Sequence, residues 1–238
     1  KLDLLHQRVY QICGGYEDGN DSNRLRRDPV LKTCCGRDPV DGADLASQPT
    51  FSRWENAAGP KTCYLLGRAL LDSYFDRHPR RPDVLILDLD TTADPTHGQQ
   101  EFAAFHAFYG EHVYLPLLIF DGDGDLLTAV LQPGKPQGSR PVVAVLRRVI
   151  EAVRRRWPGL KIIVRGDSGF ASPAMYELCQ RWDVEFIVGL GPNPRLKKLA
   201  ENLAERARRR YLCHGRKVRL FSSKPYRARE TTIRPGAG

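Results

Sequence analysis

The sequence predicts an α/β domain, a mixed sheet in the order βββαβαβα, preceded by a small helical region. Three features point to this order. After Pro82 the texture changes from interrupted helical periodicity to short apolar runs closed by turn formers. Asp121-Gly122-Asp123-Gly124 lies between two such runs and is a hairpin signal. Beyond Pro141, helical and strand patterns alternate, as they do where parallel strands are joined by crossover helices. A hairpin ribbon followed by such alternation makes a sheet antiparallel at one edge and parallel at the other.

Each element follows from its own pattern. Leu4, Leu5, Val9, Ile12 and Cys13 recur at helical spacing, and Gly14-Gly15 ends that run. Gly19 to Asp44 is polar and rich in turn formers. A second helix is expected from about Lys61 to Asp76, with Leu65, Leu66, Ala69, Leu70 and Tyr74 along one face. His78 to Pro82 reads as a linker, because two prolines forbid helix continuation. Strands follow at 84–90, 113–120 and 126–131. A helix is expected at 141–157, a strand at 161–165, a helix at 172–182, a strand at 184–190 and a helix at 195–209. From Lys217 to Leu220 the chain reads as the start of a further β-rich piece. The expected organisation is a helical region over 1–78, a core over 79–210 and the beginning of an insertion over 211–238.

Composition narrows the function classes. Hydrophobic residues form 41% of the 238, enough for a substantial core, and 9% are aromatic, which argues against global disorder. No run of eighteen apolar residues occurs, so no membrane span is expected. There are 37 Lys plus Arg against 28 Asp plus Glu, a net charge of +9. Such an excess favours a polyanion, because each cation placed on a phosphate releases counterions. Cys13, Cys34, Cys35, Cys63, Cys179 and Cys213 include no C-x-x-C and no Cys/His ligand cluster, so they read as reduced and structural. The first residues lack an initiator Met and a signal-peptide core, so an earlier start and a cytoplasmic location are expected.

Two carboxylate positions stand out by placement. Asp88 and Asp90 close the first strand and point to the same face, since strand side chains alternate. Asp167 lies just past the strand Ile162-Ile163-Val164-Arg165. Ligand sites of open sheets gather at the carboxyl ends of strands. If the two strands are neighbours, Asp90 and Asp167 share one rim. Hard oxygen ligands so placed suit Mg²⁺, and a pair of such ions suits in-line phosphoryl transfer. The ordinary alternative is that these aspartates cap turns and helices.

The segment Asp88-Leu89-Asp90-Thr91-Thr92-Ala93-Asp94-Pro95-Thr96-His97-Gly98-Gln99-Gln100 resembles the DPTHGQQ signature of a DDE insertion-sequence transposase family. Tyr114 to Leu117, Arg165 to Phe170, Tyr16-Glu17-Asp18 and Leu45 to Asn56 fit the same family in the same order. The resemblance implies a ribonuclease-H-like core with Asp90 as first catalytic acid and Asp167 as second, Asp88 being the alternative for the first. It also implies two Mg²⁺ or Mn²⁺ ions, double-stranded DNA as partner (element ends and target), a homodimer on DNA, and a bacterial, nucleoid-associated location. The family's third acid is a Glu in a Y-x-x-R-G-x-x-E-N-like motif. No such motif occurs here, and Glu230 has the wrong context. The chain is therefore expected to stop inside the insertion and to be inactive alone. The rivals are a DNA-binding remnant without activity, or a nuclease on the same fold.

Leu45 to Asn56 has the look of a helix-turn-helix recognition segment, a Ser-Gln-Pro-Thr turn before a helix offering Ser52, Arg53 and Asn56. Arg53, Asn56, Arg165, Arg208 and Arg209 are the expected DNA contacts, although charged outer faces are common on helices covering a sheet. His97 could orient a carboxylate or a phosphate. Asp121 to Asp125 fails as a calcium loop, because Leu126 stands where Gly is required and Gln132 where the bidentate Glu should be.

Overall fold

The structure, a computed structural model, describes residues 2–135 and 139–226. The chain divides into two compact units, Lys1–Leu66 and Gly67–Gly238.

The first unit is helical: α1 (Leu2–Cys13), α2 (Ser22–Leu25), α3 (Pro29–Cys34) and α4 (Gln48–Asn56). The helix ending at Gly14-Gly15 forms as expected, but its buried face is not the apolar stripe. Gln7 and Gln11 are buried, whereas Val9 and Ile12 are exposed. Full pairing explains this. The Gln7 amide donates to the Ala46 carbonyl (3.0 Å) and accepts from its N–H (2.8 Å), and Gln11 exchanges hydrogen bonds with buried Ser22. A buried amide whose nitrogen and oxygen are each hydrogen-bonded costs little, so polar residues can hold the inner face. The turn-rich stretch contains the short α2 and α3, too brief to show a period. Asp28 caps α3 by accepting from the Leu31 N–H (2.8 Å), and Pro29 occupies the first turn.

The boundary between units falls within α5 (Pro60–Arg77). Its buried residues are Leu71, Tyr74 and Phe75. Leu65, Leu66 and Leu70, expected on the inner face, are exposed. The expected stripe kept Tyr74 but took the wrong neighbours, because apolar residues lie on both sides of this helix.

After the linker come β1 (Val84–Thr91), β2 (Asp94–Pro95), β3 (Ala104–His106), β4 (Glu111–Tyr114), β5 (Leu117–Phe120) and β6 (Leu126–Val130). They are followed by α6 (Arg140–Arg156), β7 (Lys161–Gly166), α7 (Pro173–Arg181), β8 (Glu185–Val188) and α8 (Pro194–His214). The main sheet has the order β6-β5-β1-β7-β8. β1, β5 and β6 pair antiparallel, and β7 and β8 continue parallel to β1. This is the mixed sheet expected from the sequence, its strands and the helices after them running βββαβαβα in chain order. The strand expected over 113–120 is in fact two. β4 belongs to a small sheet of order β2-β4-β3, and β5 to the main one. Pro116 separates them, having no N–H to continue a ladder.

One face of the main sheet carries the core. Leu85, Leu87 and Leu89 of β1 are buried with Leu117, Ile119, Ile162 and Val164. Leu146, Val149, Ile150 and Val153 of α6, Met175, Leu178 and Cys179 of α7, and Leu71, Tyr74 and Phe75 of α5 belong to the same cluster. The alternate residues Ile86 and Asp88 are half-buried and Asp90 is exposed. α8 buries no residue and ends at Gly215, whose φ of 64° is the left-handed conformation that glycine adopts without strain. Residues 215–226 form neither helix nor strand, so the strand expected from Lys217 is not present. Glu230 lies outside the described residues. All six thiols are free, and among the described residues no helix is long and apolar enough to cross a membrane.

The corrected α5 face is testable by urea denaturation. Leu71→Ala should cost about 2–5 kcal/mol, whereas Leu65→Ala should stay within about 0.5 kcal/mol of the parent.

Candidate functional site

The pattern of β1 produces the site. Alternate leucines are drawn into the core, which turns Asp88 and Asp90 together onto the opposite, open face. β7 lies beside β1 in parallel register, with Asp88 opposite Arg165 and Leu89 opposite Gly166. Asp90 and Asp167 are the next residue on each side, Asp90 still within β1 and Asp167 just past the end of β7. Both are exposed.

The three acids differ in what they touch. Both oxygens of Asp88 accept from Arg165, through Nε and Nη2. That hydrogen bond, with the carboxylate's charge, holds the Arg165 guanidinium above its ordinary pKa. Asp167 caps the turn after β7, its Oδ1 accepting from the Gly169 N–H at 2.8 Å. Gly189, after β8, presses on that turn. Its N–H donates to the Gly166 carbonyl (3.0 Å), and a Cβ there would lie 3.1 Å from the Ser168 nitrogen. Asp88, Asp90, Asp121, Asp123 and Arg165 line an open hollow of about 590 Å³ on this face.

These are hard oxygen donors at an accessible strand end, the kind that divalent ions such as Mg²⁺ take. Asp90 and Asp167 fit that chemistry, while Asp88 is engaged by a cation of the protein itself.

The expected DNA contacts fall in three places. Arg53 and Asn56 are exposed on α4, and Asn56 reaches Ser52 Oγ (3.4 Å). The Ser-Gln-Pro-Thr segment is not a turn before that helix. α4 starts at Gln48 with Ser47 at its N-cap and Pro49 in its first turn, and residues 35–47 separate it from α3. The tight turn of a helix-turn-helix is therefore not formed. Arg165 is taken up by Asp88. Arg208 and Arg209 are exposed on α8, where Arg209 Nε lies 3.0 Å from Glu205. His97 is an exposed loop residue.

The sequence reading missed one constellation. At the far end of β5, buried Asp121 accepts from the Tyr74 hydroxyl (3.0 Å), and His78 Nε2 lies 3.1 Å from Asp125 Oδ2. In the sequence His78 reads as part of a linker and the aspartates as a turn, and no spacing links residues 43 positions apart.

A family model described as Transposase DDE domain group 1 matches residues 1–232. No curated protein matches the chain. Among solved structures, the catalytic domain of the Mos1 mariner transposase is similar at 15% identity and a TM-score of 0.34, over 65% of this chain and 77% of that one. The piggyBac transposase in its synaptic complex with hairpin DNA gives 11% identity and a TM-score of 0.38, over 66% of this chain and 36% of that one. A chain of the simian T-cell lymphotropic virus intasome in complex with PP2A regulatory subunit B56 gamma gives 14% and 0.30, over 57% of this chain and 44% of that one. The chain thus spans less than half of two of these three.

Two group-specific outcomes follow. Burial first, and then the Asp121 hydrogen bond, raise the Tyr74 pKa above its ordinary 10.0. A raised folded-state pKa gives stability that is complete below the unfolded value and is lost as pH climbs through and beyond it. Thermal stability should therefore fall as pH rises past 10.0, and the fall should be shallower in Tyr74→Phe. Burial also pushes the Cys179 thiol up to about 11. Iodoacetamide on the native chain at mildly alkaline pH should alkylate exposed Cys13, Cys34, Cys63 and Cys213 and spare buried Cys179, as read by peptide mass.

Proposed function

The chain belongs to the family of transposase DDE domains, group 1, and from that premise we propose that it carries the first two acids of a metal-dependent DNA strand-cleavage and strand-transfer site, Asp90 and Asp167. The observation that supports this reading is the parallel pairing of β1 with β7, whose last pair, Leu89 and Gly166, immediately precedes the two acids.

In this reading Asp90 and Asp167 hold divalent ions, Mg²⁺ or Mn²⁺, two in the complete site. Such ions, when bound, stabilise charge on the attacking and leaving oxygens of a phosphodiester. The protein's part is positional. The Gly169 N–H fixes the rotamer of Asp167, and Gly189 holds the turn beneath it. Arg165 neutralises Asp88, so the rim does not carry three uncompensated carboxylates. This arrangement favours Asp90 over Asp88 as first acid.

The substrate is double-stranded DNA, at element ends and at a target, held by cations. Residues 1–78 form the DNA-binding region, with Arg53 and Asn56 on α4. Residues 79–210 form the catalytic core, and 211–238 begin an insertion. On α8, Arg208 and Arg209 face solvent along a helix with no buried residue, where a phosphate backbone can reach them. A homodimer brings two ends together. The net charge of +9 supports a polyanionic partner, and the cytoplasm, at the nucleoid, is where that partner is met.

Two aspartates supply two of the three acids that such a site uses. Residues 1–238 alone should bind duplex DNA with an affinity falling steeply with salt, yet should not nick labelled element ends in Mn²⁺. Supplying the Glu-bearing segment should produce nicking, and Asp90→Asn or Asp167→Asn in that longer chain should lower it by about 10²-fold or more without unfolding the core. Nicking by residues 1–238 that survives Asp167→Asn would refute the assignment. DNA binding without nicking even in the longer chain would favour a remnant that only occupies sites.

A further inference from the structure

At the end of β5, where Asp121 also borders the hollow lined by Asp88 and Asp90, three donors converge. One ligand atom each from His78, Asp121 and Asp125 lie within 4.8 Å of one another, the one such group of three among the described residues. The hydrogen bonding of the imidazole says more than proximity. His78 Nδ1 lies 2.9 Å from the Tyr74 carbonyl, which can only accept, so Nδ1 carries a proton. Nε2 lies 3.1 Å from Asp125 Oδ2, which also can only accept. A neutral imidazole has one proton and has already used it. Its Nε2 lone pair then faces a carboxylate, an arrangement that is stable only with a cation shared between them.

The surroundings resemble those of a metal-binding histidine. A ligand His characteristically donates its other N–H to a backbone carbonyl or a carboxylate, which fixes the tautomer. Here the Tyr74 carbonyl has that role, and the Tyr74 ring stacks on the imidazole at 4.3 Å between centroids. Asp121 is oriented in turn. Its Oδ1 accepts the N–H groups of Asp123 (2.9 Å) and Asp125 (2.8 Å), and Oδ2 accepts one hydrogen bond from Tyr74 and keeps a lone pair. A cavity of about 250 Å³, lined in part by Tyr74, His78 and Asp121, gives room for an ion and its waters.

We propose that His78, Asp121 and Asp125 bind a divalent transition-metal ion, Zn²⁺ by the chemistry of the donors, at a structural site that shares no ligand with Asp90 and Asp167. One imidazole nitrogen with two carboxylate oxygens is a zinc-type set completed by water, whereas Mg²⁺ prefers oxygen donors alone. The ion pins the segment after α5 to the β5–β6 hairpin. The site does not depend on the catalytic reading.

The test is a Zn²⁺ titration of the ¹⁵N-labelled chain carrying Asp90→Asn and Asp167→Asn, in excess Mg²⁺, followed through imidazole ¹H–¹⁵N spectra. The His78 signals are those missing in His78→Gln. Expected is a move of the His78 Nε2 resonance that saturates at one equivalent, with a thermal midpoint that rises with Zn²⁺. Asp125→Asn, at an exposed position, should weaken that titration by at least about tenfold, the scale seen when even an outer partner of a ligand is lost. Zinc taken up by exposed cysteines leaves the His78 signals unmoved. If His78 does not respond, or responds with equal affinity in Asp125→Asn, the shared cation is a proton and the metal site is refuted.

Discussion

The parallel register between β1 and β7 is the constraint on which the remaining architecture depends. It holds because Leu85, Leu87 and Leu89 must reach the same core as Ile162 and Val164, and a slip of one residue would turn every one of them to the open face. The same alternation that buries the leucines presents Asp88 and Asp90. Core packing and site geometry are thus one specification, written twice along a single strand. The helices α6 and α7 enforce it by packing on the leucine face, away from Asp88 and Asp90.

Arg165 shows how that open face stays compatible with folding. Several carboxylates on neighbouring strand positions repel one another, and a cation in register with Asp88 relieves the repulsion where it would be greatest. Both partners retain some exposure, so the gain in stability is small, as for other exposed ion pairs. The benefit is positional: the pair engages Asp88 and leaves Asp90, the next acid on that face, outside it.

Much of this was legible in the sequence, for a physical reason. Strand alternation and strand-end aspartates are local patterns, so β1, β7 and the hairpin at Asp121 could be placed before any coordinates. What was not legible depends on pairing between distant parts. The buried Gln7 and Gln11 look like solvent-facing residues until Ala46 and Ser22 are seen to complete them. The inner face of α5 was misassigned because apolar residues lie all round that helix. The division of 113–120 into two strands required the weight of one proline, Pro116. The convergence of His78 with Asp121 and Asp125 leaves no periodic trace.

Asp88 and Arg165 are 77 residues apart in the chain, and this separation orders assembly in time. The hairpin of β5 and β6 closes locally and needs no other strand. The pairing of β1 with β7 must wait for a long loop to close, at an entropic cost that only the completed core repays. The rim bearing the two acids therefore forms among the last features of the sheet. A partly folded chain exposes its basic residues before Asp88 and Arg165 have met.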